Sequence, residues 1–176
     1  MHAHHFALVL DRPPDLRQAI AVMRSHRDID VSPGVREATV NRRTHDFTGA
    51  VVSAIHDLEQ AGLVPVRIHD NDWVTLADVG ERVGRSRELV RRWSTGRYGP
   101  NGFPPPINPG AKTLFYSWVE VAAWLRGHTG IAVAGDEPDL VVANLLLRAR
   151  RLAPRSRDAH ALPAILTPVV NASART

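Results

Sequence analysis

The 176-residue chain has no cysteine, one lysine, two tyrosines and an aromatic content of only 6%. Without cysteine it can form no disulfide, no thiolate metal site and no thiol nucleophile. No apolar run approaches the roughly 18 residues of a membrane span. The longest, Leu140 to Leu147, is broken by Asn144. The opening Met1-His-Ala-His-His-Phe6 lacks the basic stretch and long apolar run of a signal peptide. These absences predict a cytoplasmic protein without a membrane partner.

Nine histidines raise the question of metal or acid–base chemistry. His2, His4 and His5 cluster at what reads as a loose terminus, with no carboxylate pattern beside them. His45-Asp46 and His56-Asp57 have neither a nucleophile nor a phosphate-binding glycine loop nearby. The expectation is therefore no metal, no cofactor and no catalysis.

What is present is an ordinary apolar fraction, 44%, enough for a buried core in one or two domains. The net charge of +4 is unevenly spread. Residues 1–72 hold 8 Lys/Arg against 10 Asp/Glu; residues 73–128 hold 8 against 4; residues 129–176 hold 6 against 4. Positive charge concentrated in one segment is the footprint of a nucleic-acid partner. The arginine-to-lysine ratio of 21 to 1 also fits GC-rich coding, so arginine count alone says little.

Residues 1–71 read as a small α/β domain. Phe6 to Leu10 is a strand, and Leu16, Ile20 and Met23 repeat at helical spacing. Val35 to Val40 and Thr44 to Phe47 are expected as strands about an Asn41-Arg-Arg43 turn. Val51, Ile55 and Leu58 give a second helix ended by Gly62. Leu63 to Ile68 is a last strand, with Pro65 placing it at an edge or a strand start. The order β-α-β-β-α-β predicts an α+β protein whose first domain is ferredoxin-like.

Residues 72–128 carry the functional signal. Thr75 with Asp78 has capping-box spacing, and Leu76, Val79 and Val83 form an apolar stripe. Gly84-Arg85-Ser86 is a turn, with Ser86 capping a second helix of about 87–95. On that helix Leu89, Val90 and Trp93 share one side, and Arg87, Glu88, Arg91 and Thr95 the other. Arg92 sits at the edge, four residues after Glu88. Arginine can donate two hydrogen bonds to guanine in the major groove, so Arg87 and Arg91 are the expected base readers. Glu88 either accepts from cytosine or pairs with Arg92. Gly96 to Leu114 holds 4 Gly and 5 Pro in 19 residues. It predicts a loop and a short β-hairpin wing, about 103–116, turning at Pro109-Gly110. Arg97, Tyr98 and Lys112 are expected phosphate contacts, beside Arg85 and Ser86 in the turn, while Phe103 and Ile107 pack beneath the wing. Ser117 to Glu120 is a further capping box, opening a helix with Val121, Trp124 and Leu125.

Val74 to Gly80, Gly84 to Arg91, Gly102-Phe-Pro-Pro-Pro106 and Tyr116 to Leu125 together resemble the MerR/excisionase-type winged helix-turn-helix. The style is closest to small prophage regulators of the AlpA kind. The resemblance spans about residues 73–127 and implies sequence-specific binding of double-stranded DNA, often as a dimer, hence a nucleoid-associated location. It departs from MerR in lacking a long coiled-coil helix and a cysteine sensor, and from a bare excisionase in its leading α/β domain. A transcriptional regulator is the expected function. The alternative is a protein-interaction adaptor, or an antitoxin or recombination accessory factor, whose α/β domain binds a protein partner.

Residues 129–176 are expected to be a linker to about Glu137, then a helix over Pro138 to Leu152. Asp136, Glu137 and Asp139 near its start and Arg148, Arg150 and Arg151 near its end complement the helix dipole. Leu140, Val141, Leu145, Leu146 and Leu147 surround more than one face, so the helix packs either on the first domain or on a second subunit. Homodimerisation through the α/β domain or this helix is expected. A shorter helix near His160 to Leu166 and a disordered tail complete the reading.

Overall fold

A computed structural model describes residues 1–134 and 137–166 as a mixed α+β protein with two separate apolar cores. The first core is built on a four-stranded antiparallel sheet. β1 (His2–Leu10), β2 (Ile29–Val31), β3 (Glu37–Thr44) and β4 (Pro65–Ile68) lie in the order β2-β3-β1-β4. Helix α1 (Leu16–Ser25) connects β1 to β2, and α2 (Phe47–Gln60) connects β3 to β4. Each connection thus skips over one intervening strand.

Strand alternation decides which face is buried. Phe6, Leu8 and Leu10 of β1 point inward with Ala38 and Val40 of β3, Ile29 and Val31 of β2, and Ile68 of β4. Ala50, Val51, Ala54, Ile55 and Leu58 of α2 cover them. Leu8, Leu10, Leu58 and Leu63 are fully buried, each side chain worth about 1.5–3 kcal/mol. His5, Asn41, Arg43 and Arg67, on the alternate positions, remain exposed.

The middle strands differ from those expected. Asn41-Arg-Arg43 is the body of β3, not a turn, and Phe47 opens α2 behind an Asp46 N-cap. The hairpin instead turns at Ser32-Pro33-Gly34, where Val35 donates to the Ser32 carbonyl and Gly34 has φ of 80°. Three consecutive polar residues mimicked a loop because one of them, Arg42, is buried. The first strand also begins earlier than expected, so His2, His4 and His5 are strand residues rather than a loose terminus. His5 lies on the face opposite His2 and His4.

α1 occupies the expected residues with its faces reversed. Ala19 and Val22 are buried, while Leu16, Ile20 and Met23 stand exposed. The helix is held close by polar contacts, which favours small residues on its inner side. Gln18 donates to the carbonyls of Ala61 and Gly62, and Arg12 to Gly62.

The second core joins β5 (Trp73–Val74), α3 (Leu76–Arg82), α4 (Arg87–Ser94), β6 (Tyr116–Ser117) and α5 (Trp118–Thr129). β5 and β6 pair antiparallel through Trp73 with Ser117 and Val74 with Tyr116. All four tryptophans of the chain belong to this unit. Trp93 and Trp124 meet at 5.7 Å between ring centroids, and Phe103 stands edge-on to Trp124 at 5.1 Å. α5 runs past the expected boundary to Thr129, and Ile131 and Val133 of the following segment still pack on this core.

α6 (Pro138–Leu152) returns to the first unit along the outer edge of the sheet. Leu140 and Leu147 enter the first core, and the Asn144 amide oxygen accepts from the backbone N–H of Ile68, on the edge strand, at 3.0 Å. A side chain here completes the hydrogen bonding of an edge strand. Asp136, expected near the start of α6, and the tail from 167 onward lie outside the described residues. The expected helix near His160 is a turn followed by a 3-10 segment, Leu162–Leu166. Among the described residues, no helix is long and apolar enough to cross a membrane.

Candidate nucleic-acid interface

The local chemistry of residues 75–95 fixes two short helices at a tight turn. Thr75 Oγ1 accepts from the Asp78 N–H at 3.3 Å, and Asp78 Oδ2 accepts from the Thr75 N–H at 2.7 Å. This reciprocal capping box lowers the Asp78 carboxyl below its ordinary value, mainly through the backbone hydrogen bond from Thr75. α3 ends where Arg85 N–H donates to the Gly80 carbonyl at 2.8 Å and Gly84 N–H to Glu81 at 3.3 Å. That pair of bonds requires a left-handed residue, and Gly84 supplies it at φ 63°. Gly80 is needed for a different reason: a Cβ there would lie 2.6 Å from the Arg85 carbonyl oxygen. Ser86 Oγ then accepts from the Leu89 N–H at 3.2 Å and starts α4.

Val90 and Trp93 bury one side of α4, leaving its cationic side outward. Arg87 is exposed and, among the described residues, has no hydrogen-bond or ionic partner. Arg91 is engaged: its Nε and one terminal nitrogen donate to the two oxygens of Glu88, each at 2.8 Å. Arg92 reaches the same carboxylate at 3.5 Å. The hydrogen bond from Arg91, followed by its charge and that of Arg92, holds the Glu88 carboxyl down at about 2. The main partner of Glu88 is thus Arg91 and not the expected Arg92. The i, i+3 spacing lets two nitrogens of Arg91 meet both oxygens of Glu88, whereas Arg92 reaches only one of them.

Arg85 sits exposed in the turn with a long contact of 3.4 Å to the Gly84 carbonyl. Past α4, Thr95 folds its hydroxyl back to the Arg91 carbonyl at 3.0 Å, and exposed Arg97 and Tyr98 follow. Gly99 lies against the Trp93 indole, where a Cβ would fall 2.7 Å from the ring.

The expected β-hairpin between 103 and 116 does not form as a ladder. Residues 100–115 are irregular, and β6 pairs with β5 rather than with a strand of its own loop. Proline removes the donors a ladder would need. One side chain closes the loop instead: Asn108 donates to Thr113 and accepts from Phe115, both at 2.8 Å, while Ile107 N–H donates to Phe115. Exposed Lys112 stands near its tip. Phe103 packs into the core, but Ile107 is 40% exposed.

The sequence did not reveal Asp72, which fastens the unit together. Its carboxylate accepts from Ser117 Oγ at 2.9 Å and from Val119 N–H at 2.8 Å, and its carbonyl from Trp118 N–H at 2.6 Å. Ser117 also accepts from Glu120 N–H at 3.4 Å, the N-cap half of the expected box. Arg82 stacks over the Trp118 ring at 4.7 Å and donates to Asn71. Its sequence signal was an arginine at the end of a helix facing a conspicuous tryptophan.

In the first unit, Arg42 is buried between Asp28, Ser53 and Asp57, and His26 stands 3.3 Å from Asp57. Asp57 therefore faces Arg42 and His26 rather than adjoining His56, and Asp46 is occupied as a helix cap. Among the described residues no group of three His, Asp or Glu is arranged to hold a metal. No protein-family model, curated protein or solved structure matches the chain.

Proposed function

We propose that residues 72–128 are a winged helix-turn-helix module and that the chain is a DNA-binding protein. The more particular reading is a sequence-specific transcriptional regulator of the nucleoid, with α4 entering the major groove and the 100–115 loop lying along the backbone. The observation that carries it is the outward face of α4. Arg87 is exposed and without a partner among the described residues, at the N-terminal end of a capped helix, where a recognition helix contacts bases, and Arg91 follows one turn later. Arg85, Arg97 and Lys112 are placed for phosphates, with Ser86, Arg92 and Tyr98 beside them. In the first unit, the strand order β2-β3-β1-β4 and the two interleaved crossovers support a ferredoxin-like fold.

Selection of duplexes from a randomised pool by the full chain should yield one recurring site. The same selection with Arg87→Glu/Arg91→Glu should yield none. Enrichment that is indifferent to the double reversal would remove α4 from DNA recognition and favour a protein-interaction role. One feature supports that second reading. The apolar side chains of Leu16, Ile20 and Met23 on α1 are exposed as a row that a protein partner could cover.

A further inference from the structure

We propose that α6 is a dimerisation helix, pairing antiparallel with α6 of a second copy of this chain. This rests on the surface of the first unit and not on the DNA-binding reading. α6 has two apolar sides. Leu140 and Leu147 are spent on the core of their own chain. On the far side Val142, Leu145 and Leu152 are each more than half exposed, as is Leu146 beside them. Val142, Leu145, Ala149 and Leu152 follow one another at spacings of three, four and three. That is the a/d pattern of a two-heptad seam, with small Ala149 permitting close approach. Nothing else among the described residues covers it.

Charge selects the occupant and its direction. The helix begins with Glu137 and Asp139 and ends with Arg148 and Arg151, all exposed, while Arg150 pairs with Glu59 of its own chain. An antiparallel pair sets the acidic start of each helix against the basic end of the other, and opposes the two dipoles favourably. A parallel pair would set like charge against like. The arrangement is a self-complementary two-fold contact in which Leu145 of one copy faces Ala149 of the other and Val142 faces Leu152. The other exposed row, on α1, lacks this property: its free charges, Arg17 and Arg24, have the same sign at both ends, and Asp15 is used as the cap.

The absence of cysteine makes the test clean. Sedimentation of the full chain should give twice the 19.4 kDa monomer mass. Leu145→Glu/Leu146→Glu should give monomer with an unchanged circular dichroism spectrum, since both side chains already face solvent. Should that variant unfold, engineered thiols still decide the matter on a chain with its seam intact. Under mild oxidation, Leu145→Cys mixed with Ala149→Cys should cross-link, and neither should do so alone. A monomeric wild-type chain would overturn the proposal, as would a dimer indifferent to the glutamates. Self-cross-linking of Leu145→Cys, the signature of a parallel pair, would overturn it too.

Discussion

The two units place their arginines differently. In the first, three arginines rivet the fold, while exposed Arg17 and Arg24 on α1 and Arg43 and Arg67 on separate strands are scattered rather than gathered on one face. Arg42 bridges Asp28, Ser53 and Asp57; Arg36 donates to the carbonyls of Leu10 and Asp11; Arg12 binds Gln18 and Gly62. In the second, Arg87, Arg97 and Lys112 have no side-chain partner among the described residues, and Arg91 and Arg92 share one carboxylate. Cations satisfied internally stabilise a chain. Cations left in water on one helix face are available to something outside it. The difference separates a scaffold from a candidate interface better than net charge does, because it depends on geometry rather than count.

The comparison can be broken most forcefully at Arg42. Arg42→Leu strands two carboxylates and should cost the first unit about 2–4 kcal/mol. That is less than for a fully buried network, because Asp28 and Asp57 keep 33% and 23% of their side-chain surface. Since every tryptophan lies in the second unit, fluorescence should report its unfolding nearly unchanged while circular dichroism shows an earlier transition. Acid should mimic the substitution. Asp28 is held below its ordinary value of 3.8, chiefly by the hydrogen bond from Arg42. Its contribution is therefore complete above that value and is lost as pH falls through the depressed folded pKa.

Gly80→Ala should damage the other unit, by about 1–3 kcal/mol, because the new methyl meets backbone rather than a yielding side chain. Here the fluorescence transition should move first. Arg87→Ala should leave both transitions in place and lower affinity for the selected site by about 1–3 kcal/mol, roughly 5- to 150-fold. Competition against a base-substituted duplex would separate reading from mere attraction. Glu88→Gln should free Arg91 and tighten DNA binding roughly two- to fivefold. Because the Glu88 carboxyl sits at about 2 rather than 4.5, the pair holds until pH falls toward 2, so acidification to pH 4 should not reproduce the gain.

Much of the second unit could be read in the residues themselves, because its ends are specified locally. Thr75 with Asp78, Gly84, and Ser86 each fix a backbone conformation within three or four positions, and each acts as the spacing implied. The first unit resisted at the places where tertiary partners override pattern. Arg42 interrupts an apolar alternation with a charge, which only Asp28 and Asp57, distant in sequence, make tolerable. On α1, the large side chains Leu16, Ile20 and Met23 look like a core face, yet polar contacts draw the helix in on Ala19 and Val22. Two signals were available and weaker than their rivals: Pro33-Gly34 marks the true hairpin, and the prolines at 104–106 argue against a ladder in the 100–115 loop. Nothing local distinguishes Arg91 from Arg92 as the partner of Glu88; side-chain orientation decides that.

Charge reversal in each unit, measured on one duplex, tests the contrast most directly. Titrate the selected site by fluorescence anisotropy with the wild-type chain, with Arg87→Glu/Arg91→Glu, and with Arg43→Glu/Arg67→Glu on the open sheet face of the first unit. The α4 pair should weaken binding by about two orders of magnitude and flatten its dependence on salt, while the sheet pair stays close to wild type. Equal losses from both, or a loss confined to the sheet pair, would contradict the assignment of DNA recognition to α4.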